Sequence, residues 1–138
     1  MKTIGIQIEG STYIICVLEE TSSGIKLLGE SKKLSLKDHL DCNEVKNLQQ
    51  ELFLTFDALQ PDRIGYIARQ HKVRRGQNPP SALSFKLEGL LQLYTKKDVE
   101  AIWPISVSSF LKKNPISGLS KYNYQEKATN LAYYLLKK

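Results

Sequence analysis

Residues 3–9 alternate strictly: Ile4, Ile6 and Ile8 interleave with Gly5, Gln7 and Glu9. A period of two is the mark of a strand with one buried face. Gly10-Ser11 then signals a tight turn. Residues 12–18 are β-branched and apolar and read as a buried second strand. Thr21-Ser22-Ser23-Gly24 is the next turn, and residues 25–36 hold a third strand. Such an antiparallel meander leaves two sheet faces to be covered. The rest of the chain must supply the covering layers.

Alternating helices and strands do so. Asp41 or Asn43 offers a helix cap, and Val45, Leu48, Leu52, Phe56 and Leu59 recur at helical spacing. Pro61-Asp62 ends that helix. Ile64, Tyr66 and Ile67 mark a short strand. A basic loop from 69 to 80 closes on Pro79-Pro80, which excludes regular helix before it. Ser81 is the expected cap of the next helix, with Leu83, Leu87, Leu90, Leu91 and Tyr94 on its apolar face. Residues 98–103 read as a fifth strand stopped by Pro104. A short helix over 107–113 breaks at Asn114-Pro115, and a last helix covers 122–136. The order is βββαβαβα. It predicts an α/β fold: a five-stranded mixed sheet with helices on both faces, its later strands parallel to the first through right-handed crossovers. The 138 residues suit one domain, 1–138.

Charge is unevenly spread along this order. Residues 1–60 carry 6 Lys against 9 acids, net −3, and residues 61–138 carry 14 basic residues against 5 acids, net +9. No acid interrupts residues 63–75, which hold Arg63, Arg69, Lys72, Arg74 and Arg75. Positive potential of this density steers anionic partners; it also serves simply as a solvated surface. Cys16 lies in an apolar run and reads as a small buried hydrophobe. It and Cys42 are the only cysteines, which gives neither a disulfide framework nor a metal spacing. No apolar run approaches the roughly 18 residues that span a bilayer, and residues 1–7 lack the pattern of a secretory signal. No membrane association and a reducing cytoplasm are the expectations.

Ile4-Gly5-Ile6-Gln7-Ile8-Glu9-Gly10-Ser11 resembles the first strand and turn of Holliday-junction resolvases of the RuvC type, which carry apolar-Gly-apolar-Asp before a Gly-Ser turn. Leu59-Gln60-Pro61-Asp62-Arg63-Ile64 resembles the approach to their fourth strand, and Ser81-Ala82-Leu83 the helix behind their second acidic residue. The resemblance covers most of the chain and implies a ribonuclease H-like fold. A tighter one is to a group of short bacterial proteins known only as a domain of unknown function, itself ribonuclease H-like. It is carried by Gly10-Ser11 with Ile14-Ile15-Cys16, by Ala82-Leu83-Ser84-Phe85-Lys86-Leu87-Glu88 with Gln92-Leu93, by Leu111-Lys112-Lys113-Asn114-Pro115, and by Gln125-Glu126. It implies no established activity.

The resemblance also implies where chemistry belongs. Ribonuclease H-like nucleases hold two Mg²⁺ ions roughly 3.5–4 Å apart, on carboxylates from the first strand, the end of the fourth strand and the last helix. Here Gln7 stands where the first aspartate belongs. Ile67-Ala68-Arg69-Gln70 offers a cation where the second acid belongs. Glu126 falls near the acidic position of the last helix, with Asn130 rather than a second acid one turn on. Glu9 shares the face of Gln7 along the strand. Gln7, Glu9 and Glu126 are thus the candidates of a degenerate site, and an arginine beside two acids is poor for Mg²⁺. No cofactor is expected, and a non-catalytic chain is. A metal-dependent nuclease using Glu9 and Glu126 is the enzymatic alternative.

Other constellations are thinner. His39 and His71 have no cysteine at metal spacing, Gly76 and Gly89 form no phosphate-binding loop, and no nucleophile-elbow motif is present. Trp103, Tyr66, Phe85 and Tyr94 occupy apolar positions and are expected in the core. Tyr122, Tyr124, Tyr133 and Tyr134 cannot all point inward from one helix. Beside Lys121, Lys127, Lys137 and Lys138 they suit a stacking surface or a protein interface. The expected function is nucleic-acid binding through Arg69, Lys72, Arg74, Arg75, Lys112 and Lys113. A protein-interaction module, as an adaptor or inhibitor, is the alternative from a different class.

Overall fold

The computed structural model describes residues 1–69 and 82–138. A mixed sheet forms its centre, built from β1 (Lys2–Glu9), β2 (Thr12–Thr21), β3 (Gly24–Leu27), β4 (Lys32–Ser35), β5 (Arg63–Ile67) and β6 (Val99–Ile102). Its order is β3-β2-β1-β5-β6, with β4 also paired to β2. The helices are α1 (Cys42–Leu59), α2 (Ala82–Gln92), α3 (Pro104–Lys113) and α4 (Glu126–Lys137). The expected meander, parallel crossovers and helical order are all present: β1 pairs antiparallel to β2 and parallel to β5, and β5 parallel to β6.

Among the described residues the sheet has six strands rather than the expected five. The third predicted strand, 25–36, is two. β3 pairs with the distal half of β2 (Leu18↔Leu27 to Thr21↔Gly24) and β4 with the proximal half (Thr12↔Ser35 to Ile15↔Lys32). Between them Gly29-Glu30 turns the chain, and Ser31 Oγ accepts the Val17 N–H at 3.0 Å. A hydroxyl thus fills the gap in the β2 ladder, and a hydropathy pattern cannot see that substitution. At the other end Pro104 opens α3 instead of only stopping β6. Proline at N1 loses no hydrogen bond and carries a helical φ. The final helix starts later than predicted, at Glu126, after a 3-10 turn over Asn123–Gln125.

Alternation along β1 divides the molecule into two layers. Ile4, Ile6 and Ile8 join Tyr13, Ile15, Ile64 and Tyr66 under α1 and α2, which contribute Leu48, Leu52, Phe56, Leu87 and Leu91. Asp41 caps α1, accepting the Asn43 and Glu44 N–H groups as its composition anticipates. The opposite face, with Thr3, Gly5 and Gln7 on β1, is covered by α4. Ile14 and Cys16 meet Ala128, Leu18 meets Ala132 and Leu136, and α3 closes the side through Val107 against Leu131 and Leu135.

Two glycines set how closely α4 lies. Gly5 and Gly65 are register partners on β1 and β5. A Cβ on Gly5 would sit 2.1 Å from the Ala128 carbonyl oxygen and 2.6 Å from the Ala132 nitrogen, so helix backbone rests directly on strand. Thr3 Oγ1 donates to the Ala132 carbonyl at 2.7 Å. Arg63 Nη1 donates to the Leu135 carbonyl at 2.9 Å while its Nε and Nη2 grip Glu100 on β6 at 2.9 and 2.7 Å. The seat therefore holds α4 in register as well as in height. Gly5→Ala should cost at least about 3 kcal/mol, because backbone cannot yield as a side chain can. Gly65→Ala, whose nearest neighbour is the mobile end of Leu135 at 3.0 Å, should cost about 1 kcal/mol. Urea unfolding of the two variants checks this, and equal costs would contradict the seat.

Candidate functional site

The seat of α4 decides what surrounds Gln7. Thr3 meets the helix at Ala132 and Gly5 at Ala128, so α4 runs antiparallel to β1. Gln7, two residues on and half-buried on the same face, is level with the start of that helix. Helix N–H groups and dipole give that end a partial positive charge. Glu126, exposed in the first turn, sits where a carboxylate is favoured by that dipole.

Glu126 and Asn130 line an open cleft of about 430 Å³ with Leu111, Lys121 and Tyr122. Neither Gln7 nor Glu9 is part of its lining. Glu9 is exposed at the end of β1. Glu9, paired with Thr12 at the last register position of β1, thus lies outside the cleft that Glu126 lines with the segment after α3.

Arg69 is the central charge of the site. It lies just past the end of β5 and is half-buried. Its backbone N–H donates to Glu88 Oε1 on α2 at 2.7 Å. Burial pulls its guanidinium below the usual range, against the pull of the Glu88 and Glu9 carboxylates, which raise it; an arginine stays charged regardless. Burial raises the Glu88 carboxyl above its ordinary 4.5, with the Arg69 N–H and charge opposing. Among the described residues, Arg69 Nε is buried without a hydrogen-bond partner.

Glu88 is the residue sequence reasoning left outside the site. Its signal was present. Ser84, Leu87 and Leu91 are the buried stripe of α2, and position 88 lies along that stripe. A carboxylate there must find a donor, and the end of β5 supplies one. Lys112 and Lys113 are exposed in the last turn of α3, where cations suit the helix end, directly after Leu111 of the Glu126 cleft. Lys72, Arg74, Arg75 and His71, with the Ser81 cap, lie outside the described residues. Trp103, expected in the core, is about half exposed at the cap of α3. Tyr66 is buried, and Tyr94 packs on Phe53 and Phe56.

The donor set does not fit a two-metal centre. Gln7 brings no charge, Arg69 brings the wrong one, and among the described residues no three His, Cys, Asp or Glu side chains are grouped to hold an ion. Among the same residues no helix is long and apolar enough to cross a membrane. What the arrangement offers is a half-buried guanidinium whose buried Nε has no hydrogen-bond partner among the described residues, in the field of the Glu88 and Glu9 carboxylates.

The pH dependence of Glu88 is a direct check. The folded protein holds that proton more tightly than the unfolded chain does. The contribution of Glu88 is therefore full below 4.5 and declines as pH rises through the folded value. Urea midpoints followed from about pH 4 to 7 should fall less steeply in Glu88→Gln than in the native chain. Parallel curves would show that Glu88 is not buried against Arg69.

The fold is shared with solved structures. RuvC of Thermus thermophilus superposes with a TM-score of 0.72 at 12% identity, covering 96% of this chain and 91% of that one. T. thermophilus RuvC in complex with a Holliday junction substrate gives 0.68 at 14%, covering 99% and 97%. The yeast mitochondrial Holliday junction resolvase Ydc2 gives 0.53 at 14%, covering 94% of this chain and 60% of that one. At these identities the likeness is one of fold, and the ribonuclease H-like, RuvC-like architecture expected from the first strand is the one observed. No curated protein matches the chain. A family described as a protein of unknown function (DUF3010) matches residues 1–135, and the chain belongs to that family.

Proposed function

We propose that this chain is a non-catalytic ribonuclease H-like module that binds nucleic acid. The observation that carries the reading is Arg69. At the strand end where the resolvase-like pattern calls for a carboxylate, a half-buried guanidinium holds an N–H with no partner among the described residues. A buried donor left unpaired is costly, and a phosphate oxygen is the acceptor that guanidinium geometry matches best. In a nuclease of this fold a carboxylate binds a metal and the metal binds phosphate. Here the fixed cation takes the phosphate without the metal, which binds the backbone but supplies no Lewis acid to cut it. The solved RuvC complex with a Holliday junction supports this reading, because a chain of this architecture there meets nucleic acid. The net +9 of residues 61–138 adds the long-range attraction. Lys112 and Lys113 on α3 belong to the same reading, as do Lys72, Arg74 and Arg75 on sequence grounds. Cytoplasmic residence is part of it, and so is the absence of any metal cofactor.

Fluorescence anisotropy with single-stranded and duplex oligonucleotides at two salt concentrations tests it. Affinity should be micromolar or tighter at low salt and fall about tenfold or more for a fourfold rise in salt, through counterion release. Arg69→Gln should weaken binding to both forms by about tenfold, the loss of one charged hydrogen-bonded contact. Absence of binding at low salt would overturn the proposal.

A further inference from the structure

Tyr122 and Tyr124 are not on the last helix as expected but ahead of it, about 50% and 40% exposed. Their rings lie parallel, 9° apart in plane, with centroids 5.6 Å apart. Rings in contact are separated by about 3.5 Å, so a centroid spacing of 5.6 Å means the pair is displaced sideways. Each ring therefore leaves part of a face uncovered by the other. Lys33 Nζ stands 3.8 Å from the Tyr124 centroid and Lys121 Nζ 5.3 Å from that of Tyr122.

The pair is held from beneath. Gln125 is 5% exposed, and its side-chain Oε1 accepts the backbone N–H of Lys121 and of Tyr122 at 3.0 and 3.1 Å. Its own N–H donates to the Tyr122 carbonyl at 3.0 Å, and its carbonyl accepts the Cys16 thiol. An exposed aromatic pair with a buried amide as its anchor is organised before any ligand arrives, which lowers the cost of binding.

Strand register places this pair on the same face as the site. Gln7 pairs with Ile14 and Ile14 with Lys33, one row across β1, β2 and β4. Cross-strand partners share a face, and neighbouring strands are about 4.8 Å apart, so the Lys33 backbone lies roughly 10 Å from that of Gln7, and its side chain reaches Tyr124. Arg69 lies past β5, on the other side of β1. A line from Arg69 through Gln7 to Lys33 and the tyrosines crosses the end of the sheet.

We propose that Tyr122 and Tyr124 form a stacking platform for unpaired bases of a single-stranded nucleic acid, with Lys33 and Lys121 taking its phosphates. This rests on the nucleic-acid reading above and names the form of nucleic acid. Stacking serves unpaired bases because each has an open π-face, which a duplex buries. The lysines over the rings give the surface the sign that phosphates need; Glu126, in the neighbouring cleft with Lys121, is the carboxylate nearest in sequence.

The experiment compares an oligothymidylate, an abasic oligomer of equal length and a duplex in anisotropy titrations. The native chain should bind oligothymidylate roughly tenfold more tightly than the abasic strand. Tyr122→Ala with Tyr124→Ala should erase that preference and leave duplex and abasic binding unchanged, whereas the paired Phe substitutions should keep it. Circular dichroism confirms that the variants remain folded. Equal binding of the two single strands by the native chain, or a preference that survives the paired alanines, overturns the platform while leaving the phosphate reading intact. No binding in any arm, duplex included, overturns both. Tyrosine-dependent dimerisation in sedimentation without oligonucleotide would assign the surface to a second copy of the chain and overturn the platform as well.

Discussion

Helix backbone resting on strand backbone at Gly5 is the contact from which the rest of this structure follows. Because the first strand has no side chain there, α4 descends until the Ala128 carbonyl occupies the space of a Cβ. Thr3 and Arg63 then fix it lengthwise through the Ala132 and Leu135 carbonyls. With height and register set, the start of α4 has to stand beside Gln7, and the turn before it has to project Tyr122 and Tyr124 next to β4. A bulkier residue at position 5 would lift the helix and dissolve both relations. Gly65, the register partner of Gly5, extends the same floor under Leu135.

The fold is shared with the solved RuvC structures, while Gln7 and Arg69 are not the acids that the resemblance of the first strand implies. Gln7 removes a charge, Arg69 reverses one, and Glu88 on α2 holds the backbone of Arg69 instead of joining a ligand set. The guanidinium has a carboxylate on each side, Glu88 and Glu9, yet keeps an unpaired Nε among the described residues. Its positive charge sits in the field of those two carboxylates. In the function proposed above this is the group that meets a phosphate.

Much of this was legible in the sequence, for identifiable reasons. The period-two run at 3–9 and the helical spacing of Leu48, Leu52 and Phe56 are burial patterns, and burial is what organises the two layers. The absence of an acid at Gln7 and Arg69 could be read directly, since it concerns identity rather than position. What escaped was set by hydrogen bonds between distant residues. Ser31 replaces a strand ladder and splits one strand in two. Gln125 gathers two backbone N–H groups and delays the last helix, moving Tyr122 and Tyr124 off it. Glu88 reaches across to the end of β5. Polar residues of this kind have no periodicity to betray them, and their partners are far away in the chain.

The central claim is that a fixed cation, not a bound metal, meets the ligand at the end of β1 and β5. Amide NMR spectra recorded with an oligonucleotide and, separately, with Mn²⁺ test it most directly. The oligonucleotide should shift the resonances of Gln7, Glu9 and Arg69 together with Lys33, Tyr122 and Tyr124, and Mn²⁺ should leave those of Gln7 and Glu9 unbroadened. Selective paramagnetic broadening at Gln7 and Glu9, or oligonucleotide shifts confined to other surfaces, would contradict it.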